Sequence, residues 1–373
     1  MNTCKKQKVL AAMSGGVDSS VAAALLKQQG YDVIGTTMSL DYARDKHPSN
    51  CCGITAAHDA KRVCDILEIP HYTLNFKDIF QKKVIDNFIE EYKNGRTPNP
   101  CIRCNEHVKW KALMKKTKEL GADMIATGHY ARIMPNLPAH FAVRRAGRQS
   151  AKCQMPNEKK LFKGKYLKKD QSYALYILTQ EMLAHTLFPL GDLTKAEVRK
   201  IAKDLGLPVA DKADSQEICF VEDNDYARFL KETMPECVKP GPILDMSGKV
   251  VGQHQGIAFY TIGQKKGIGA HTGRKYVVKI DAKNNTIVIG DDSDLFKKEL
   301  TASQLNFISG TVPDKPLAVA ARIRYNSPEE PAVLEIDGDC AKVRFAKPQR
   351  AVTPGQSVVF YQEDEVIGGG IIE

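Results

Sequence analysis

The chain of 373 residues has a single tryptophan, only ten cysteines, and no apolar run approaching the length that crosses a bilayer. Such sparse cysteine excludes a disulfide-stapled scaffold and fits a reducing compartment, so any conspicuous cysteine spacing asks for a chemical explanation. The polar start, Met1 to Lys8, leads directly into a strand pattern without the apolar stretch of a cleaved leader, and a cytoplasmic location is expected. Acid is the scarcer charge: 44 Asp and Glu stand against 54 Lys and Arg, for a net charge of +10 and a pI near 9.0. Two readings of that excess stand, a polyanionic partner or plain solubility through lysine. The length exceeds what one core usually serves, so two or three domains are expected.

Two familiar phosphate motifs are also missing, the Lys-Ser/Thr ending of a Walker loop and the G-x-G-x-x-G of a dinucleotide fold. What is present is Ser14-Gly15-Gly16-Val17-Asp18-Ser19-Ser20, placed between the apolar run Val9, Leu10, Ala11, Ala12, Met13 and a helical pattern at Val21, Ala24 and Leu25. A strand, a turn and a helix follow one another. Without Cβ atoms at Gly15 and Gly16, backbone N–H groups can approach an oxyanion, and the helix aims its unsatisfied N–H groups and positive dipole end at the same point. The seven residues resemble the pyrophosphate loop of ATP-dependent adenylating enzymes, which cut ATP between its α- and β-phosphates.

From Lys8 to about Ala213, strand and helix patterns alternate. Val33 to Met38, His71 to Phe76 and Met124 to Thr127 read as buried strands, and Ala56 to Leu67, Ile79 to Tyr92 and Val108 to Leu120 as helices. The fold class expected is α/β, a parallel-sheet domain with its ligand beyond the strand ends, followed by smaller β-rich parts. Tyr226 to Thr233 is one more helix. Prolines and glycines then break the chain up, and from Tyr276 onward short strands alternate with turns, through Leu317 to Arg324, Ala332 to Ile336, Lys342 to Phe345 and Ser357 to Tyr361, as in a small β-barrel. The division expected is 1–220, 221–285 and 286–373.

Between Ile133 and Lys169 acid nearly disappears. Arg144, Arg145, Arg148, Lys152, Lys159, Lys160, Lys163, Lys165, Lys168 and Lys169 face the single Glu158. A solvated loop is one reading; a basic surface that neutralises RNA phosphates and orders on binding is the other.

Arg96-Thr97-Pro98-Asn99-Pro100-Cys101-Ile102-Arg103-Cys104-Asn105 carries a C-x-x-C without the second pair that a zinc site needs. Two prolines stiffen the approach. A helix expected to start near Asn105 or Glu106 would set its positive end beside Cys104, an arrangement that favours thiolate and hence nucleophilic chemistry. A metal half-site and a redox pair remain open on the spacing alone. Cys51 and Cys52 are adjacent and poorly spaced to chelate one ion together. Further on, Cys219 lies between Ile218 and Phe220 in Ala213-Asp214-Ser215-Gln216-Glu217-Ile218-Cys219-Phe220, where a buried core residue is the default.

Six blocks taken together carry a resemblance over nearly the whole chain. They are Ser14 to Ser20, Arg96 to Cys104, Gly128-His129-Tyr130-Ala131-Arg132, Lys169-Asp170-Gln171-Ser172-Tyr173, Asp214 to Phe220, and Gly256-Ile257-Ala258-Phe259-Tyr260-Thr261-Ile262-Gly263-Gln264. In order and spacing they resemble the bacterial tRNA-specific 2-thiouridylase family. The resemblance implies a pyrophosphate-loop domain, a central β-rich domain and a C-terminal β-barrel. It implies an enzyme that uses ATP with Mg2+ to replace oxygen by sulfur at C2 of the wobble uridine, position 34, in tRNAs for lysine, glutamate and glutamine, releasing AMP and pyrophosphate.

By that resemblance Cys104 is the catalytic nucleophile and Cys219 receives a persulfide from a sulfur-carrier protein or a cysteine desulfurase, with a Cys104–Cys219 disulfide as an end state. Ala12, Met13, Ser14, Gly15, Gly16, Val17, Asp18, Ser19, Met38 and Gly128 correspond to ATP contacts, though Met38 also reads as a core residue ending a strand. Asn99, Pro100 and Cys101 should line the target base. His129, Lys169, Asp170, Gln171, Arg324, Tyr325 and Gln356 match tRNA-contacting positions. Several relatives carry an aspartate where Cys101 stands, which puts the proton-transfer role at that position in doubt. A second option is a [4Fe-4S] cluster held by Cys101, Cys104 and Cys219. Two competing readings are a small-molecule ligase using the same loop, and a non-catalytic RNA-binding or redox protein.

Overall fold

The computed structural model describes residues 6–40, 54–136, 158–213, 218–221 and 225–373. The first part follows the expected alternation. In chain order it runs β1 (Lys8–Ala12), α1 (Val17–Gln28), β2 (Asp32–Ser39), α2 (Ile54–Ile66), β3 (His71–Asn75), α3 (Lys77–Phe80), α4 (Asp86–Lys93), α5 (Pro100–Arg103), α6 (Leu113–Glu119), β4 (Met124–Ala126), β5 (Ala131–Pro135), β6 (Lys159–Lys163), α7 (Gln180–Ala184), β7 (Thr186–Leu187) and α8 (Lys195–Asp204). β1, β2, β3, β4 and β7 form one sheet in the order β3-β2-β1-β4-β7, and each pairing is parallel. The chain first builds outward from β1 through β2 and β3, then returns to the other side of β1 with β4. That reversal leaves a crevice beyond the carboxyl ends of β1 and β4, where open α/β sheets bind ligands. Val9, Leu10 and Ala11 are buried within β1, as a strand covered by helices on both faces requires.

Helical structure begins earlier than expected on the stretch bearing the C-x-x-C. α5 starts at Pro100, continues through the π-helical segment Cys104–Ala112, and runs on into α6. The N–H of Leu113 reaches back to the Val108 carbonyl, the wider i→i+5 closure. The helix start expected near Asn105 is therefore corrected. Asn99 is the N-cap, its side chain accepting from the Ile102 N–H at 3.3 Å, and Pro100 occupies the first helical position, where its missing N–H costs nothing. The apolar pattern misled because helical spacing becomes evident only from Val108 onward. Trp110, on the π-helical segment, is fully buried and donates from Nε1 to Thr186 Oγ1 at 2.9 Å, tying the helix to the edge of the sheet.

The basic stretch is also corrected in part. Lys159–Lys163 is a strand that pairs antiparallel with β5. Lys163 is buried, and its ammonium meets Glu329 at 2.9 Å and donates to the Glu363 carbonyl at 2.8 Å; Lys160 pairs with Glu365 at 2.9 Å. The alternation of β6, with Leu161 and Lys163 both turned inward, was hidden by its charge. Arg144, Arg145, Arg148 and Lys152 lie outside the described residues.

After α9 (Tyr226–Thr233) come β8 (Gly241–Leu244), β9 (Val250–His254), β10 (Tyr276–Asp281) and β11 (Thr286–Gly290), joined in the order β10-β11-β8-β9. Strands from Tyr276 thus belong first to this central sheet, and the barrel begins later. It consists of β12 (Phe296–Phe307), β13 (Leu317–Arg322), β14 (Glu330–Asp337), β15 (Cys340–Arg350), β16 (Ser357–Gln362) and β17 (Glu365–Ile372). Pairing of β12 with both β15 and β17 closes the ring, which removes open edges. The β5–β6 hairpin adds to β17, so a piece of the first part of the chain is hydrogen-bonded into the last.

Candidate nucleotide and thiol site

Ser14 to Ser20 bend sharply from β1 into α1 at the crevice. Gly15 has φ +66°, and a Cβ there would run into the Ala56 carbonyl at the start of α2, so both its conformation and its surroundings require glycine. Gly16 caps α1 with an extended backbone, and a Cβ on it would meet nothing closer than Ser14 Oγ at 3.4 Å. Protein packing does not demand a glycine there, and the open space suits an anion held against the helix N-terminus. Ser19 Oγ takes the Ser14 N–H at 3.1 Å and donates to the Gly16 carbonyl at 3.1 Å, and Ser20 Oγ donates to the same carbonyl at 2.9 Å. The turn is tied to itself before any ligand arrives. Ala12 ends β1, Met13 and Val17 are buried behind the turn, and Ser14 is exposed at its rim.

Asp18 lies on the first turn of α1, where the dipole favours a carboxylate. Tyr130 O–H donates to its Oδ1 at 2.7 Å, and Lys195 Nζ donates to Oδ1 at 2.7 Å and Oδ2 at 2.8 Å. Lys212 Nζ donates to the Gly15 carbonyl at 3.0 Å and pairs with Asp59 at 2.7 Å. Gly128, after β4, packs so closely that a Cβ would sit 2.7 Å from the Ser19 nitrogen. Sequence reasoning did not single out Tyr130, Lys195 or Lys212 as site residues. No local spacing betrays Lys195, since it and Asp18 meet only through the tertiary packing of α8 on α1. Met38 is buried within β2 in the core cluster, with Leu74 opposite it in register.

Cys101 lies on the exposed first turn of α5, and Cys104 follows one turn later, partly buried. The positive end of the helix therefore falls at Cys101, and the expectation that it stands beside Cys104 is corrected, because the dipole effect fades within the first turn. Cys104 is flanked by charge: Arg103 reaches Glu106 at 3.3 Å and Gln304 Oε1 of β12 at 2.8 Å, and Lys111 reaches Glu106 at 2.6 Å. Burial opposes ionisation of Glu106, but Lys111, His107 and Arg103 outweigh it and hold the carboxyl below its ordinary range.

Cys219 is partly buried beside Phe220, whose ring packs edge-on against Phe80 at 5.9 Å and Phe88 at 5.2 Å. Cys104 and Cys219 pack against the same hydrophobic core, the one containing Phe80, Ile102 and Val108. The preceding block, Asp214 to Glu217, lies outside the described residues. Among the described residues, no three His, Cys, Asp or Glu side chains are grouped to hold a metal ion. Cys101, Cys104 and Cys219 do not form a metal ligand set among the described residues.

The segment leading to the cysteines is held from outside the first part of the chain. Thr97 N–H donates to the Pro354 carbonyl at 2.8 Å, and Thr97 Oγ1 donates to Thr261 Oγ1 at 3.1 Å. Gln356 Nε2 donates to the carbonyls of Thr97 at 2.8 Å and Pro98 at 3.3 Å. Arg96 pairs with Glu91 at 2.8 Å and with Glu373.

Other expected tRNA contacts also have partners within the chain. Arg324 donates to the carbonyls of Arg350 at 3.1 Å and Ala351, and burial beside Arg350 pushes its pKa down. Tyr325, 42% exposed, donates its hydroxyl to the Asp170 carbonyl at 3.0 Å, and its ring meets that of Tyr173 edge-on at 6.0 Å. The Asp170 carboxylate is buried and accepts from Gly164 N–H at 3.0 Å, Ser172 N–H at 3.1 Å and Ser172 O–H at 2.9 Å, shaping its own turn. Gln171 Oε1 accepts from the Tyr130 N–H at 3.0 Å, while Lys169 ends a short 3-10 turn. His129 shares a hydrogen bond with Thr127 Oγ1 at 2.7 Å and packs against Trp110 and Phe188; burial, with Lys109 adding to it, lowers its pKa well below the usual value. The lowered pKa favours a neutral imidazole, packed against Trp110 and Phe188.

Comparisons with known proteins place the three parts of the chain in families. Residues 7–223 match the family model described as the tRNA methyl transferase HUP domain, 227–291 the tRNA methyl transferase PRC-barrel domain, and 297–372 the aminomethyltransferase β-barrel domain. The chain is 48% identical over 373 residues to the tRNA-specific 2-thiouridylase MnmA of Clostridium beijerinckii, covering 99% of each chain. It is 50% identical to the protein of the same name from Clostridioides difficile, covering 98% of each, and 50% identical to that of Carboxydothermus hydrogenoformans, covering 100% of this chain and 99% of the other.

Proposed function

We propose, from the premise that this chain belongs to the tRNA-specific 2-thiouridylase family, that the crevice beyond β1 and β4 adenylates a tRNA uridine and that Cys104 and Cys219 then carry sulfur to it. The chain is a tRNA-uridine 2-sulfurtransferase that uses ATP. Its substrate is the wobble uridine, position 34, of the tRNAs for lysine, glutamate and glutamine.

The chemistry turns on a leaving group. A uracil carbonyl oxygen will not depart as oxide, but it departs readily as AMP. In the first step the uridine O2 attacks the α-phosphate of ATP, a P–O bond forms, and the α–β bond breaks. Pyrophosphate leaves against the N–H groups of Gly15 to Val17, with Mg2+ as the expected counterion. Open space at Gly16, and a turn already fixed by Ser19 and Ser20, support that placement.

In the second step the terminal sulfur of a persulfide on Cys219 attacks C2, and AMP departs with the C2–O bond pair. Attack of the Cys104 thiolate on the inner sulfur of Cys219 then leaves a C2 thiocarbonyl and a Cys104–Cys219 disulfide. A cellular dithiol takes up the oxidising equivalents and reopens it. The persulfide comes from a sulfur-carrier protein or a cysteine desulfurase. A second order of events, in which Cys104 first frees hydrosulfide from Cys219, ends in the same disulfide. Cys101, at the helix start beside the Asn99 cap, and Pro100 line the target base, and the ring face of Tyr325 with Arg324 suits the stacking and phosphate pairing of a splayed anticodon.

The observation that carries this reading is the glycine turn of Ser14 to Ser20 at the N-terminus of α1, tied to itself by Ser19 and Ser20 and leaving open space at Gly16. The test is to incubate the protein with ATP, Mg2+, unmodified tRNA and a persulfide donor, then digest the tRNA and weigh its nucleosides. A wobble nucleoside heavier by the difference between sulfur and oxygen supports the reading. Pyrophosphate release without any need for tRNA would point to a small-molecule ligase instead.

A further inference from the structure

The crevice holds an acid where an anion is expected to bind. Asp18 sits in the first turn of α1, two positions after the Gly16 cap that would face pyrophosphate. A carboxylate so close to a polyphosphate repels it unless something offsets the charge. Lys195 is placed to do so. It begins α8, directly after Thr194, whose side chain and Glu197 form a reciprocal capping box that fixes the start of that helix. From this anchored position its side chain, only 13% exposed, crosses to α1 and meets both carboxylate oxygens of Asp18 at 2.7 and 2.8 Å. Tyr130 O–H approaches Oδ1 at 2.7 Å from the β4 side. The carboxylate is held by three short hydrogen bonds from two elements, and its direction is set before any nucleotide arrives.

We propose that Lys195 is a positioning residue for the nucleotide step: it offsets the charge of Asp18 at the phosphate turn and, with Tyr130, fixes the direction of that carboxylate. This deepens the reading of the crevice as an ATP site and rests on it. With Lys195 removed, the uncompensated carboxylate faces the β- and γ-phosphates and is free to swing toward them. With both charges removed, the repulsion goes as well. The two side chains therefore act as a coupled pair, and their losses do not add.

The test measures ATP affinity by calorimetry, and tRNA-dependent pyrophosphate release, for the full chain and for Lys195→Met, Lys195→Arg, Asp18→Asn and the double variant Asp18→Asn with Lys195→Met. Lys195→Met is expected to weaken ATP binding and raise its KM by about thirtyfold or more, the low end of the loss when one partner of a buried charge pair is removed from a binding site. Lys195→Arg keeps most of the affinity, and tRNA affinity stays unchanged in both. Adding Asp18→Asn to Lys195→Met recovers part of the lost ATP affinity. If Lys195→Met does not fold, Lys195→Gln replaces it in the same series. ATP affinity equal to wild type in the lysine variant, or losses that simply add in the double variant, overturns the proposal. A merely structural tie between α1 and α8 would instead lower the melting temperature and tRNA affinity together, leaving KM for ATP in place, and that outcome also overturns it. Because ATP binding is read directly, wild-type protein that binds ATP but releases no pyrophosphate with tRNA counts against the thiouridylase reading and leaves the Lys195 comparison decisive.

Discussion

The side-chain amide of Gln356, on the loop before β16, donates to the Thr97 carbonyl at 2.8 Å, so the C-terminal barrel grips the segment that delivers Cys101 and Cys104 to the helix start. Gln356 is also among the residues proposed to contact tRNA. Were tRNA to recruit this amide, the carbonyls of Thr97 and Pro98 would lose a donor at the moment the substrate arrives.

Substituting Gln356 by Ala removes two hydrogen bonds from half-buried carbonyls, a loss of about 1–2 kcal/mol. Thermal unfolding should register it as a lower melting temperature. A looser Thr97–Asn99 segment should also change the rate at which iodoacetamide labels Cys104. An unchanged labelling rate alongside a lowered melting temperature would mean that the grip stabilises the barrel without reaching the thiol.

Separating the two chemical steps requires the cysteines one at a time. Cys219→Ser should still release AMP-linked tRNA and pyrophosphate at near wild-type rates, since the phosphate turn and Asn99 are untouched, yet form no thionucleoside. Cys104→Ser should likewise stop before product. Mass analysis of the tRNA, with pyrophosphate counted in parallel, checks both. Full thiolation by Cys219→Ser with a persulfide donor would remove that residue from the sulfur path.

Much of this arrangement was legible in the chain itself. The phosphate turn announced itself because one local segment holds the strand, the two glycines and the helix start. The parallel sheet followed from strand and helix patterns that are local by nature. Less visible was anything decided by distant partners. Lys163 reads as one more lysine in a basic run, and only the closure of the barrel shows that Glu329 and Tyr361 surround it. Asp18 with Lys195, and Thr97 with Gln356, are likewise pairings that only tertiary packing creates. The misjudged start at Asn105 has a different cause. Pro98-Asn99-Pro100 reads as an extended stiffener, whereas Asn99 as cap and Pro100 in the first turn are an equally good way to begin a helix.

His129 supplies a pH dependence. Burial lowers its pKa well below the ordinary value, so the folded protein binds its proton less readily than the unfolded chain does. The stability it contributes is complete above the unfolded pKa of about 6.5 and is lost as pH falls from there toward the folded value. Unfolding free energies between pH 7.5 and 5 should decline in wild type. In His129→Gln the decline should be shallower, by at most about 1.4 kcal/mol per pH unit, the value for one proton. Parallel slopes in the two proteins would show that His129 titrates normally.

The basic stretch can be divided by experiment into structural and RNA-facing lysines. Lys163 is buried between Glu329 and the Tyr361 ring, so Lys163→Met leaves Glu329 short of a partner, with Arg322 at 2.7 Å compensating only in part. Breaking a buried pair this way should cost about 3 kcal/mol of stability, the low end for such a loss because Arg322 remains. It should leave the salt dependence of tRNA affinity alone, because that ammonium is buried against Glu329 and the Tyr361 ring. Lys168 is exposed on the short turn before Asp170. Lys168→Ala should leave stability within about 0.5 kcal/mol and flatten the plot of log affinity against log salt by roughly one unit, as the loss of one phosphate contact does. Binding isotherms at several salt concentrations, beside denaturant melts, distinguish the two. A salt slope that changes with Lys163 and not with Lys168 would reverse the assignment and place the RNA on the hairpin side of the barrel.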